Sequence, residues 1–432
     1  DFLRQCVSPY IHPLKWVVLR RLVIKNEVDT LVIGGGQSGI AMSEHLSKHD
    51  IDHLVVEKNR IAEAWRSQRW DSLVTNGPRW NDRFPSLKMS GEPDGFVHHD
   101  DLADYFEAYA DKINAPIQTN VEVTHVSEVE GDARYQVKTS KGQVLAKSIV
   151  VATGPFQHPV IPPVIPTTAD VKQLHSQQYK NPDQLPDGAV LVIGSGASGV
   201  QIAKELNESG RSVYLSIGPH VRPPRRYRGK DIIWWMGVLG IWNDTEPTEE
   251  VVKGFAVSGT GTVDFRQLAH DGITLLGMTD NYQNGTLHFS DDLAANINEG
   301  EQDYYKLLDA ADKFIEDNGL DFPEDPQARS LPDMPECVTH PLTALPLKEA
   351  NITSIIWATG FKNDYSWLDL DIFDENGKPK HYQGVTDARG VYFLGLPFLT
   401  CRGSSFIWGV WHDASHIAHK IKVQNHYDTY DG

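Results

Sequence analysis

The sequence predicts an α/β chain built on two copies of one strand–turn–helix unit, each feeding a parallel sheet. Two passages predict it. Thr30 to Leu46 reads TLVIGGGQSGIAMSEHL, and Val190 to Leu206 reads VLVIGSGASGVQIAKEL. Each is an apolar run, a glycine-rich turn and a helical pattern. Their recurrence roughly 160 residues apart marks two related domains rather than a solenoid of short repeats. The third observation is size, because 432 residues hold about two or three domains of ordinary length.

The first turn is Gly34-x-Gly36-x-x-Gly39, with Gln37 and Ser38 between the last two glycines. The first glycine permits the tight turn, the second lets backbone approach a pyrophosphate, and the third lets helix and strand pack closely. The phosphate then meets the free N–H groups that open the helix. Leu54 to Glu57 follows as a second strand, and Glu57 stands about 20 residues past the last glycine, followed by Lys58. A carboxylate there accepts the ribose hydroxyls of a dinucleotide, which makes this a Rossmann-like unit with the acid an FAD site requires.

The second turn is Gly194-x-Gly196-x-x-Gly199, with Ala197 and Ser198 opening its helix. Its second strand, Val213 to Ile217, ends on Gly218, Pro219 and His220, with no acid. Arg222, Arg225, Arg226 and Arg228 follow. Guanidinium groups in place of a carboxylate suit a 2′-phosphate. The expectation is FAD at the first site and NADPH at the second, with NADH as the alternative donor and Arg222, Arg225 and Arg226 as phosphate contacts.

Between the units, Gly154 to Pro166 carries prolines at a density that no helix interior or central strand accepts, so it reads as a connection. Tyr135–Val137, Ser148–Ala152, Ser354–Ala358 and Gly390–Gly395 read as strands, and Glu301–Asn318 and Trp408–Ile421 as helices. Asp100 reads as a helix N-cap.

The net charge of −18 opposes nucleic-acid binding, which needs a basic surface. No run approaches the roughly 20 apolar residues of a membrane span, and Trp16 to Ile24, interrupted by Arg20 and Arg21, reads as a surface helix. Cys6, Cys337 and Cys401 are far apart and form no CxxC. That pattern fits a reducing, cytoplasmic compartment and offers neither a zinc ribbon nor a redox dithiol. His412 and His416 have metal-ligand spacing without a partnering acid motif, so no metal is expected.

These residues resemble the flavin-containing monooxygenases, single-component (class B) flavoproteins with FAD and NADPH in two Rossmann-like domains. The likeness runs over nearly all the chain after residue 28. Trp65-Arg66 is similar to the family's Trp-Arg beside the flavin, and Asn76-Gly77-Pro78 to its Asn-Gly-Pro passage. His175-Ser176 with Tyr179 is similar to the passage leading into the NADPH strand. Ala152-Thr153-Gly154 and Ala358-Thr359-Gly360 resemble the two strand ends where the family's chain crosses between domains. Leu394 and Gly395 end the strand that closes on flavin, and Val123 joins the cofactor-binding set. One passage departs: of the family's Phe-x-Gly-x-x-x-His-x-x-x-Phe/Tyr fingerprint only Gly154 and His158 match, with Ala152 and Pro162 at the aromatic positions.

The resemblance implies an N-terminal extension over 1–28, an FAD-binding domain split between 29–156 and 330–432, and an NADPH-binding domain over 157–329 inserted in it. It implies a monooxygenase that uses NADPH and O2, through a C4a-hydroperoxyflavin, to oxygenate a small molecule at nitrogen or sulfur. Baeyer–Villiger oxygenation of a carbonyl, or a flavoprotein pyridine-nucleotide reductase or oxidase, is the alternative. Asn76 is the candidate hydrogen-bond donor to the oxygen species or the flavin. Arg402, Ser404 and Trp408 are candidate substrate contacts, and a homodimer is the expected assembly.

Overall fold

The structure is a computed structural model that describes residues 26–245 and 253–430. The basic segment Trp16 to Ile24 lies outside the described residues.

The first unit opens with β1 (Glu27–Ile33), α1 (Gln37–Lys48) and β2 (His53–Glu57). Then come α2 (Glu63–Ser67), α3 (His99–Lys112), β3 (Ile117–Thr119), β4 (Val123–Glu128), β5 (Tyr135–Thr139) and the long β6 (Gly142–Val151). β1 lies between β2 and β6 in parallel, with Leu31 opposite both Leu54 and Ile149. The near-unbroken apolar runs of β1 and β2 follow from this, because a parallel strand is covered on both faces. Leu31, Val32, Val55 and Val150 have no exposed surface. The N-terminal half of β6 pairs instead with β5, antiparallel.

The second unit contains β7 (Lys172–His175), β8 (Ala189–Ile193), α4 (Ala197–Glu208), β9 (Val213–Ser216), α5 (Ile232–Val238), β10 (Thr274–Leu276), α6 (Leu293–Asp317) and β11 (Ile352–Trp357). Its five-stranded sheet runs β10-β9-β8-β11-β7, all parallel. The chain then returns to the first sheet. β12 (Val391–Phe393) pairs with the end of β6, and α7 (Ile407–Asp428) packs along α1. Val410, Ala414, Ile417, Ala418 and Ile421 form its buried stripe at helical spacing. Each large apolar side chain buried this way stabilises the unit by about 1.5–3 kcal/mol.

The boundary drawn at residue 330 needs correction. β11 sits between β8 and β7, so the second unit extends to Trp357. Its apolar run completes that sheet, and the chain leaves only after it. The two crossings lie side by side, with His158–Pro159 pairing antiparallel to Phe361–Lys362. His98, not Asp100, caps α3: its Nδ1 accepts the Asp100 N–H.

Candidate cofactor and active site

The two glycine turns share one geometry. A methyl carbon on Gly34 would lie 2.5 Å from the Ala152 carbonyl oxygen, and one on Gly194 2.5 Å from that of Ala358. One on Gly39 would lie 1.9 Å from the Gly34 carbonyl oxygen, and one on Gly199 1.8 Å from that of Gly194. Gly34 and Gly194 have φ of 115° and 116°, the left-handed region that glycine tolerates. The two Ala-Thr-Gly strand ends are therefore the surfaces against which the first glycine of each turn packs.

The turns differ at their second glycine. Nothing lies within 4 Å of a methyl carbon placed on Gly36. That direction opens toward a cavity of about 430 Å³ lined by Gly34, Gly36, Gln37 and Ser38, by Glu57 and Lys58, by Val123, and by Thr153, Gly154 and Gly395. Placed on Gly196, the same carbon meets the Gly254 Cα and the Phe255 nitrogen, each at 3.9 Å. Gly254–Phe255 pairs with His220–Val221 just after β9, and so lies across the second turn.

The first cavity fits FAD. Glu57 Oε2 accepts the Gly35 N–H at 2.7 Å and Oε1 accepts the Asn59 N–H at 2.8 Å, which fixes the carboxylate in the cavity wall. In the same wall, α1 starts at Gly36 with no side-chain cap and no acid in its first turn. Its first N–H groups need a partner, and a pyrophosphate supplies one. Gly395, Ser405 and Trp65 line the cavity as well. Gln37 Nε2 donates to the Ser405 carbonyl at 3.2 Å, tying the turn to the loop before α7.

Several expected contacts lie elsewhere. Arg66 turns to Asp104 and Glu107 on α3, each at 2.8 Å, and lines no part of the cavity. Tyr179 is fully buried and donates to Glu205 at 2.7 Å, while Ser176 is buried with its N–H on the Trp357 carbonyl. Thr359 donates to the Val160 carbonyl at 2.5 Å, and the Gly360 carbonyl accepts from His175 at 3.0 Å. Leu394 is buried, with its N–H on the Val151 carbonyl. These residues hold the crossings and the strand ends together rather than lining the cavity.

The arginine cluster also needs correction. Arg222 is 1% exposed, lies 3.7 Å from Asp264 and covers the Tyr304 ring. Arg225 is buried in an ion pair with Asp231. A guanidinium already paired in the interior is not free to read a phosphate at the surface. Arg226 is exposed.

Arg225 has another partner: its Nη1 donates to the Asn76 carbonyl at 2.7 Å. Asn76 lies outside the cavity lining, yet its surroundings are closely specified. The Gly77 N–H goes to Asp82 at 3.0 Å, and the Thr75 hydroxyl to the Gly77 carbonyl at 2.7 Å. Burial pushes the Asp82 carboxyl up to about 6, against the pull of Asn81, Gly77 and Arg225. Gln201, on α4 of the second unit, donates to Asn76 Oδ1.

The loop before α7 rearranges the substrate candidates. Ser404 is fully buried, with its Oγ accepting the Thr400 and Cys401 N–H groups at 3.0 and 3.1 Å. Arg402 pairs with Asp244 at 3.1 Å. Trp408 sits against Trp242 in an aromatic cluster, its Nε1 without a partner among the described residues. Ser405, one residue beyond Ser404, faces the cavity instead. Sequence reasoning also missed Gln68, Arg69, Phe156 and Gln157, all cavity residues. Their only signal is proximity to Trp65 and Gly154.

Residues 31–228 match the model of the pyridine nucleotide-disulphide oxidoreductase family. The chain is 37% identical over 398 residues to the uncharacterized oxidoreductase CzcO-like of Geobacillus kaustophilus, covering 91% of this chain and 98% of that one. It is 24% identical to the probable indole-3-pyruvate monooxygenase YUCCA1 of Arabidopsis thaliana, covering 91% and 89%. Among solved structures it is similar to a flavin-containing monooxygenase from Stenotrophomonas maltophilia, with a TM-score of 0.65 at 19% identity, covering 92% of this chain and 99% of that one.

Proposed function

The chain belongs to the family of the CzcO-like oxidoreductases, and from that footing we propose that it is an FAD-dependent monooxygenase, driven by NADPH, that places one oxygen atom of O2 on nitrogen or sulfur of a small organic substrate. One observation carries the reading. A single cavity is lined by a ribose-type acid, Glu57, by an open glycine at an uncapped helix start, and by Gly395 and Ser405. Bound flavin supplies the redox chemistry, taking electrons from NADPH and passing them to O2.

The chain's own residues bind, orient and exclude. The first amides of α1 hold the pyrophosphate and Glu57 the ribose. Ala197 and Ser198 open the equivalent helix for NADPH, and exposed Arg226 is the arginine left to meet a 2′-phosphate. Asn76, clamped by Arg225 and Gln201, is the fixed amide donor near the oxygen chemistry. Among the described residues, Cys337 and Cys401 are free thiols and neither lines the cavity, so no cysteine pair stands there for disulfide reduction. The activity named for the plant relative favours a monooxygenase over a reductase.

The test is to purify the protein, measure bound FAD, and follow NADPH oxidation under 18O2 with a thioether and a tertiary amine. The expected result is labelled sulfoxide or N-oxide. A protein that takes up no added FAD overturns the proposal. Label found only in a lactone or ester from a ketone probe moves it to Baeyer–Villiger chemistry, and oxygen recovered only as peroxide moves it to a reductase or oxidase.

A further inference from the structure

Arg69 lines the cavity with its guanidinium carbon over two aromatic rings, 4.8 Å from the centre of Trp65 and 5.6 Å from that of Phe156. Stacking uses the faces of the group and leaves its N–H edge to bond in plane. The one hydrogen bond it makes is to the adjacent Gln68 carbonyl, at 2.9 Å. Most of the fork is without a partner among the described residues.

Three other guanidiniums of this chain have an acid or several carbonyls as partners, although Arg225 Nε and Arg222 Nη2 have none among the described residues. Arg225 pairs with Asp231 and Arg266 with Glu301. Arg211, without an acid, donates to the carbonyls of Pro182, Leu185 and Pro186. Three of the four acids lining the cavity are engaged elsewhere, and the fourth, Glu122, is exposed. Glu57 holds the Gly35 and Asn59 amides, Glu63 pairs with Arg60, and Asp364 accepts the Ser366 N–H and faces His158. Burial lowers the Arg69 guanidinium to about 10 and no neighbouring acid raises it again, so it is a cation at neutral pH with its counter-charge missing. A half-buried cation left this way gains from an anion that completes it.

We propose that Arg69 is the cavity's receptor for an anionic oxygen group, a carboxylate or a phosphate carried by the molecule bound there. A planar fork over Trp65 and Phe156 presents two parallel N–H groups, the arrangement that matches either anion in a bidentate contact. Two sources carry this chemistry: a phosphate of the dinucleotide and a carboxylate on the substrate. The inference uses the flavin reading above only to place the dinucleotide.

The experiment compares wild type with Arg69→Met, which keeps an apolar stem over the rings, and Arg69→Lys, which keeps charge without the fork. Circular dichroism and melting establish that each variant is folded. FAD is titrated into flavin-stripped protein, and benzoate, with benzamide as its neutral control, into flavin-loaded protein. Arg69→Met is expected to weaken one of the two anions by roughly tenfold or more, with Arg69→Lys between. Loss of FAD affinity alone assigns the phosphate. Loss of benzoate, with FAD and benzamide unchanged, assigns the carboxylate. FAD and benzoate affinities both within about twofold of wild type overturn the proposal. If wild type takes up no FAD, the flavin reading fails instead, and benzoate calorimetry on the same three proteins still decides the role of Arg69.

Discussion

Gln201 donates from Nε2 to Asn76 Oδ1 at 3.0 Å, and from the same nitrogen to the Val257 carbonyl at 2.7 Å. The carbonyl can only accept, which fixes the orientation of the Gln201 amide. Asn76 must then present its oxygen to Gln201, and its NH2 is left as the outward donor. A helix of the second unit thereby orients a side chain of the first.

If that orientation serves oxygen transfer, Gln201→Leu should raise hydrogen peroxide released per NADPH consumed, on the order of tenfold, with flavin reduction unchanged. Gln201→Glu should do more harm, because a carboxylate turns the Asn76 amide around. Peroxide yields equal to wild type in both variants would remove Gln201 from the mechanism.

Gly36 and Gly39 should separate binding from folding. A methyl group on Gly36 meets nothing within 4 Å, and its φ of −83° suits alanine. Gly36→Ala should melt like wild type yet lose FAD affinity, as the methyl occupies the pyrophosphate's approach. Gly39→Ala drives its methyl into the Gly34 carbonyl and should cost about 3 kcal/mol or more of stability. Thermal melts with FAD titration check both, and equal melting of the two variants would contradict the packing described.

The backbone of Gly254 lies against the second turn, where NADPH would seat its pyrophosphate. Nucleotide and strap compete for one place. Saturating NADP+ should speed hydrogen exchange of the Gly254 and Ala256 amides, now bonded to the Pro219 and Val221 carbonyls, while slowing exchange in Val190–Leu206. Slower exchange at both would mean that the strap stays and joins the site.

Asp82 carries a pH prediction. Its folded pKa of about 6 lies above the usual carboxylate value, so the folded state holds the proton more tightly than the unfolded. The stability this lends is present below about pH 4 and is lost as pH rises through about 6. Asp82→Asn should therefore gain stability relative to wild type over that interval, by about 3 kcal/mol, and keep the gain above it. Melting curves across pH 4 to pH 7 test this, and a wild-type-to-variant difference that does not change with pH would refute it.

The sequence by itself determined the two units and most of the first site. Gly34, Gly36, Gly39 and Glu57 are legible because a tight turn, a close backbone approach and a ribose acid each demand one residue type at one spacing. These constraints are local, and local constraints survive in a linear string. The apolar runs of β1, β8 and β11 are legible for a similar reason, since strands covered on both faces leave no room for polar alternation.

Tertiary structure decided the rest. Arg222 and Arg225 follow β9 as phosphate ligands would, but Asp264 and Asp231 take them into the interior. Arg66 and Arg69 are three positions apart: acids on α3 claim the first, and two aromatic rings turn the second into the cavity. Trp357 ends a strand of the second sheet well past the boundary that the family resemblance implied, because that strand fits between β8 and β7. A charge, an amide or a strand edge acts on whatever the fold brings beside it. Those neighbours lie far away in sequence, so one string could mark the residues and only packing could assign their partners.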